Sequence, residues 1–257
     1  MSSAGIPTLE QRLEARERPF GRKPVMFQKW RDLLFLHWEW NPEEIQATLP
    51  PGLSVDLFEG KAYLGVVPFF MKDIRPVWCP AVPGISSFLE MNLRTYVLDQ
   101  NGVPGVWFYS LDANQWLAVR IARKFFHLPY FDARMKASSD VDGTIRYSCL
   151  RSNEQADAED HFCYSAGEEI GEANPGSLEF FLLERYRLFS WNADKEELLT
   201  GQVHHVPYPM CQPKVPEWSN QVIQLDGFAL PNGDPDHVAM SRGVDVDIFP
   251  IQKAGPI

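Results

Sequence analysis

The sequence predicts a single domain of mainly antiparallel β-structure, closed in a barrel-like way and flanked by two or three short helices. Three observations carry that reading. Short strand-like runs recur along the 257 residues, separated by turn signals such as Glu59-Gly60, Asn101-Gly102 and Asp142-Gly143. Helical patterns are few and brief. No repeat or low-complexity tract divides the chain, so residues 1–25 read as an N-terminal arm, 26–250 as the body and 251–257 as a tail.

Taken in order, the arm is polar, with a weakly amphipathic segment over residues 9–17. Strand character begins at Asp32 and runs to Trp40. Asn41-Pro42-Glu43-Glu44 then opens a helix, with asparagine as cap, proline in the first turn and acids beside the positive end of the dipole. Leu49-Pro50-Pro51-Gly52 stops it. Residues 54–58 and 62–71 read as strands, and Pro80 to Pro83 break the chain. Residues 88–97 and 103–111 form a hairpin around Asn101-Gly102, a strong two-residue loop signal. Residues 114–127 have a helical stripe of Leu117, Ile121, Ala122 and Phe125, ended by Leu128-Pro129. A second hairpin spans 131–138 and 144–151, followed by an acidic loop over 153–160. Ser177 to Leu183 is a short helix. Residues 185–191 and 198–206 are strands, 207–216 a proline-rich connector, 230–237 a loop and 244–249 a last strand.

Bulk properties exclude several function classes. The net charge of −10 argues against a nucleic-acid groove. No apolar run approaches the roughly 18 residues of a membrane helix. Met1 to Pro7 lacks the basic and apolar regions of a secretion signal, and the four cysteines form no C-x-x-C pair, so a cytoplasmic protein with reduced thiols is expected. Glycine-rich phosphate loops and the G-x-S-x-G elbow are missing, so no nucleotide cofactor and no serine nucleophile are expected. His204 and His205 are adjacent and would face opposite sides of a strand, so no metal site is expected. His205 reads as either a proton donor or a core histidine bonded to a carbonyl.

The most informative stretch is 88–97. With a period of two, Leu89, Met91, Leu93 and Val97 make one apolar edge, and Glu90, Asn92, Arg94 and Tyr96 make one polar row. Such a row is either a solvent-facing cross-strand ion pair or the polar floor of a cavity. The partner run 103–111 is apolar or aromatic on both parities, as in a strand covered on both faces. With Asn101-Gly102 as the loop, Tyr96 faces Trp107, Arg94 faces Tyr109 and Asn92 faces Leu111, which favours the cavity. Glu90 is then the candidate acid or base, since burial raises a carboxyl pKa; pairing with Arg94 would instead keep it ionised. Arg120, Arg123, Arg134, Arg146, Arg151 and Arg185 cluster mid-chain and suit anion recognition or surface ion pairing. Arg134 and Arg185 stand out because their strand neighbours are apolar or aromatic.

Several stretches together resemble one family: Phe35-Leu36-His37-Trp38 with Leu49-Pro50-Pro51-Gly52-Leu53, residues 65–69, residues 90–97, residues 105–113, Leu128-Pro129-Tyr130, Glu184-Arg185-Tyr186 and His205-Val206-Pro207-Tyr208-Pro209. Over roughly residues 28–250 the chain resembles the bacterial YqjF-like family, of unknown function, which is similar in fold to acetoacetate decarboxylase, a closed β-structure around a hydrophobic cavity. The resemblance brings no assigned reaction. In the decarboxylases a helix ends in a glycine-aromatic-proline turn followed by two lysines, the first forming a Schiff base while its neighbour depresses its pKa. The matching stretch here is residues 122–131, with Tyr130 and Phe131 where the lysines would stand. Lys124 and Lys136 flank the turn at other positions. The resemblance also matches Glu90 to a cavity glutamate of the decarboxylases.

Two main expectations follow. In one, the protein is a lyase- or isomerase-type enzyme acting on a small, partly hydrophobic acid or carbonyl compound without a Schiff base. Glu90 is its acid or base, Tyr130 a hydrogen-bond donor to the reacting oxygen, and Arg94 and Arg134 the anion clamp. Asn92, Tyr96, Trp107, Tyr109, Arg185 and His205 complete the binding surface. In the other, the same cavity binds or senses a ligand without turnover. A third reading makes the arm dock on a neighbouring subunit, giving a homo-oligomer.

Overall fold

A computed structural model of the protein describes residues 5–152 and 159–255. In chain order its elements are α1 (Leu9–Glu14), β1 (Met26–Trp40), α2 (Pro42–Thr48), β2 (Leu53–Val55), β3 (Ala62–Pro76), β4 (Phe88–Asp99), β5 (Pro104–Ala113) and α3 (Trp116–Phe126). These are followed by β6 (Tyr130–Ser139), β7 (Ile145–Arg151), β8 (Asp160–Gly171), α4 (Leu178–Leu183), β9 (Arg187–Asn192), β10 (Glu197–His204), β11 (Met210–Glu217), α5 (Gln221–Leu225), β12 (His237–Ile248) and β13 (Gln252–Lys253). Pairing is antiparallel except where β5 runs parallel to β6 and β9.

The strands make one sheet that closes on itself. β4 pairs with both β3 and β5, so β5, β6, β7, β8, β11, β12, β1, β3 and β4 form a closed circuit. A shorter circuit leaves β5 through β9 and β10 and rejoins at β12. The circuits share β12, β1, β3, β4 and β5, and this common wall is covered on both faces. Alternation along the strands sorts the side chains. Leu33, Phe35, Tyr63, Val67, Phe69 and Tyr96 enter one interior with Val203 of β10. Leu34, Leu36, Leu64, Val66, Met91 and Leu93 enter the other with Met135, Tyr147 and Phe162 of β6, β7 and β8. Each fully buried aliphatic or aromatic side chain here contributes roughly 1.5–3 kcal/mol.

Helix caps follow the sequence signals. Asn41 accepts from the Glu43 amide at the start of α2, and Ser177 accepts from Phe180 at the start of α4. Thr8 and Gln11 form a capping box on α1. The arm lies on the body of its own chain. Arg12 donates two hydrogen bonds to the buried Asp56 at 2.7 Å each, Arg18 pairs with Asp247, and Gln202 donates to the Glu17 carbonyl.

Several elements differ from expectation. β1 starts at Met26, before an irregularity at Asp32, where φ is 51° and the pairing with β3 shifts register. Opposite it, Gly243 has φ of 125°, and an added Cβ would lie 2.0 Å from the Trp30 carbonyl oxygen, so glycine alone fits. β8 lies in a stretch left without an element. The expected acidic loop falls largely on residues 153–158, outside the described residues. The proline-rich connector is mostly strand: β11 carries Pro213 and Pro216 where its pairing with β8 is broken by repeated register shifts, which relieves the missing N–H groups. β12 begins at His237, and the tail supplies β13. The expected two-residue hairpin loop is longer: Leu98 pairs with Pro104, and the Asp99 amide donates to Val103 O.

Candidate active site

The shared wall places the polar row in the smaller circuit. Glu90, Asn92, Arg94 and Tyr96 are 3%, 5%, 8% and 0% exposed. The first three line a cavity of about 340 Å³ whose other walls include Leu33, Val67, Phe69, Phe108, Leu111 and Tyr208. Residues of the segment 76–86 and Leu117, Ala118, Ile121 and Ala122 of α3 also line it. The lining is predominantly apolar, the usual character of a small-molecule site.

Glu90 is held from two directions. Its backbone carbonyl accepts from the Tyr147 hydroxyl at 2.9 Å, and its Oε2 accepts from the Tyr130 hydroxyl at 2.9 Å. Burial pushes its pKa up to about 8; the Tyr130 hydrogen bond pulls the other way, and the nearby Asp112 charge adds to the rise. Burial, together with the Glu90 carboxylate, holds the Tyr130 hydroxyl well above its ordinary pKa, so it remains a donor. Glu90 and Arg94 form no ion pair, the first three members of the row line the cavity, and burial there favours the neutral form of Glu90.

Arg94 is buried with no carboxylate partner among the described residues. Its Nη2 donates to the Tyr96 hydroxyl at 3.3 Å and to the Leu182 carbonyl at 3.1 Å, and its guanidinium lies 5.5 Å from the Phe35 ring centre. The Tyr96 hydroxyl lies 2.7 Å from His37 Nε2, and His37 Nδ1 lies 3.0 Å from His237 Nδ1. One arrangement of protons satisfies this chain. Arg94 can only donate, so Tyr96 accepts from it and donates to His37 Nε2; His37 Nδ1–H then donates to His237. Burial, then the His237 and Arg94 charges, depress the His37 pKa well below its ordinary value, consistent with the neutral ring this requires. The result is a fixed, buried cation without a counter-charge among the described residues, a setting that favours an anionic ligand.

Other expected site residues lie elsewhere. The β4–β5 register shifts between Leu93 and Arg94, where Tyr109 is the extra residue. Asn92 still faces Leu111, but Arg94 faces Phe108 and Tyr96 faces Val106. Trp107 and Tyr109 therefore leave the cavity. Trp107 packs by Phe189 and Val97, and Tyr109 packs on Phe228 with its hydroxyl 2.7 Å from Thr48. Arg134 is exposed, because Ala133 and Met135 on either side face inward. Arg185 is buried behind the row, paired with Asp56 at 2.7 Å and stacked on Phe181. His205 donates from Nδ1 to the Val206 carbonyl at 2.6 Å and stacks on Tyr186; burial pushes its pKa down to about 4. Phe108, Tyr208 and the β1 row Leu33, Phe35, His37 were missed. The alternation of 33–37 was visible in sequence, whereas the Tyr109 bulge was not. Among the described residues no lysine lines the cavity: Lys124 and Lys136, the two flanking the decarboxylase-like turn, are exposed.

A closed, mainly antiparallel ring of strands around a buried acid and arginine has close counterparts in fold. An acetoacetate decarboxylase from Legionella pneumophila superimposes with a TM-score of 0.60 at 12% identity, covering 99% of this chain and 98% of that one. An acetoacetate decarboxylase-like enzyme from Sphingomonas wittichii RW1 gives 0.59 at 14%, covering 91% and 94%. The enduracididine biosynthesis enzyme MppR, complexed with pyruvate, gives 0.58 at 12%, covering 92% and 93%. The fold is acetoacetate decarboxylase-like. Within that class, the chain belongs to the DUF2071 family, described as an uncharacterized conserved protein, whose pattern it matches over residues 27–245. It is 37% identical over 230 residues to the protein YqjF of Bacillus subtilis (strain 168), covering 89% of this chain and 92% of that protein.

Proposed function

We propose that the cavity binds an organic acid with an apolar body and a carbonyl group, and that Glu90 moves a proton at a carbon beside that carbonyl. The observation that supports this most is the pairing, in one apolar cavity, of a buried carboxyl group with a buried arginine that has no carboxylate partner among the described residues. Arg94 holds the ligand carboxylate; Tyr130 orients Glu90 and supplies a second hydroxyl near the reacting oxygen. A carboxyl group with a pKa of about 8 interconverts between acid and base near neutrality, the range in which proton transfer is efficient. The protein resembles the decarboxylases in fold but, among the described residues, places no amine in the cavity, so the reading is enolisation, isomerisation or lyase chemistry without a covalent intermediate. Of the solved relatives, MppR is described with pyruvate bound, which makes oxo acids the natural panel.

The test is deuterium exchange. The purified protein is incubated in D2O with straight-chain oxo acids from acetoacetate upward, and exchange at the carbons flanking the carbonyl is followed by NMR. Wild type is expected to accelerate exchange with at least one of them, and Glu90→Gln to slow it by roughly 100-fold or more while the fold survives. Equal exchange in both proteins refutes the role of Glu90. Binding with no exchange at all in the wild type makes the cavity a carrier or sensor.

A further inference from the structure

Arg94 and Glu90 stand four residues apart on one face of β4, so at the rise of an extended strand their Cα atoms are about 13 Å apart. The pairing irregularity at this point adds its extra residue to β5, so it does not shorten β4. The Arg94 side chain is drawn away from Glu90, since Nη2 bonds Tyr96 and Leu182 on the far side. Arg94 keeps Nε and Nη1, and Glu90 keeps Oε1, without a partner among the described residues. Between them lie Asn92, whose amide makes no hydrogen bond among the described residues, and the apolar walls Val67, Phe69, Phe108 and Leu111.

A ligand that satisfies both ends has to span that interval. Side chains stand roughly perpendicular to a strand, and that of Arg94 leans away from Glu90, so their tips are at least about as far apart as the Cα atoms; two terminal hydrogen bonds of about 2.9 Å then leave roughly 7 Å between the ligand's two oxygen functions, or about five carbon–carbon bonds at ~1.5 Å each. In a 2-oxo or 3-oxo acid the two functions are adjacent or one carbon apart, which is too short. We propose that the ligand is an elongated monocarboxylic acid. Its carboxylate sits on Arg94, an apolar methylene run lies against Phe69, Phe108 and Leu111, and an oxo or hydroxyl oxygen meets Glu90 and Tyr130. The inference rests on the cavity reading above and adds which carbons Glu90 can reach: those around the distal oxygen.

Calorimetric titration of the ligand-free protein with two matched series tests this: plain straight-chain carboxylic acids, and the same acids carrying one oxo group at increasing distance from the carboxylate. Each methylene should tighten binding about fourfold in both series. The gain from the oxo group, taken against the plain acid of equal length, should be near zero for pyruvate and acetoacetate. It should reach about tenfold when about five or more bonds intervene. Glu90→Leu should abolish that gain, and Arg94→Gln should weaken every member by about tenfold or more. An oxo gain that is largest for acetoacetate or pyruvate, or one independent of separation, overturns the proposal; the wild-type series decides this without any variant. The two readings fail separately. Glu90-dependent exchange confined to acetoacetate sinks the elongated ligand and keeps the base, whereas the separation profile without exchange does the reverse.

Discussion

Replacing Glu90 with glutamine should make the protein more stable than wild type at high pH but not at low pH. The folded-state pKa of Glu90 is raised from 4.5 to about 8 by burial. Between those values the folded protein holds a proton that the unfolded chain has released. The unfolded state therefore binds fewer protons, and stability falls as pH rises through that window. At 1.36 kcal/mol per unit, the full shift corresponds to about 5 kcal/mol lost by pH 8–9. Glutamine is neutral throughout, fits the same space and can still accept from Tyr130. Asp112 and Asp160, each pushed up to about 6 by burial, contribute pH dependence of the same sign to both proteins and largely cancel in the difference. The assay is urea unfolding of ligand-free wild type and variant at several pH values from 4 to 9. The stability difference should be small near pH 4 and grow in favour of the variant by about 1.4 kcal/mol per unit above pH 4.5. Parallel curves over the whole range would show that Glu90 is ionised in the folded protein, and the acid–base reasoning would fall with it.

Three further outcomes are expected. Tyr130→Phe removes the hydrogen bond that holds the Glu90 pKa down, so the pH at which Glu90 loses its proton should rise by about one unit, visible in the carboxyl infrared band. Arg151→Leu leaves Asp112 and Asp226 buried without the cation that bonds both, at 2.7 Å and 2.6 Å; urea midpoints at pH 7 should report a loss of about 3–5 kcal/mol, partly recovered as pH falls and Asp112, whose pKa burial already raises and Arg151 holds down, takes up a proton. Gly65→Ala sets a Cβ 2.9 Å from His37 Cδ2 and 3.3 Å from the Tyr96 hydroxyl, so it should cost about 1–3 kcal/mol and weaken carboxylate binding at Arg94, whereas a purely local clash would change stability alone.

The position of the polar row was legible because a strand buried on both faces leaves its period-two pattern intact. Four polar side chains on alternate positions, facing a strand with no polar face, had few places to go. What the sequence concealed was local irregularity. One extra residue at Tyr109 reverses the parity of β5, exchanging Trp107 and Tyr109 for Phe108. Arg134 shows the same logic from the other side: its apolar neighbours marked the buried face of β6 and so placed Arg134 on the opposite one. Prolines concealed β11, since a strand whose pairing is repeatedly interrupted tolerates residues that a regular central strand excludes. The buried Arg12–Asp56–Arg185 cluster joins residues far apart in sequence, and no local pattern announces it.

The wall shared by the two circuits constrains what can change in this protein. On β4 the cavity-lining residues Glu90, Asn92 and Arg94 alternate with Met91 and Leu93, which belong to the opposite interior. A slip of one residue in the pairing of β4 with β3 would send three polar groups into an oily core and two aliphatic ones into the cavity. Neither interior can be repacked by moving that strand without disturbing the other. Diversification of the ligand should therefore proceed through the elements bordering one chamber alone, namely α3, the 76–86 segment and β10, while the floor stays fixed.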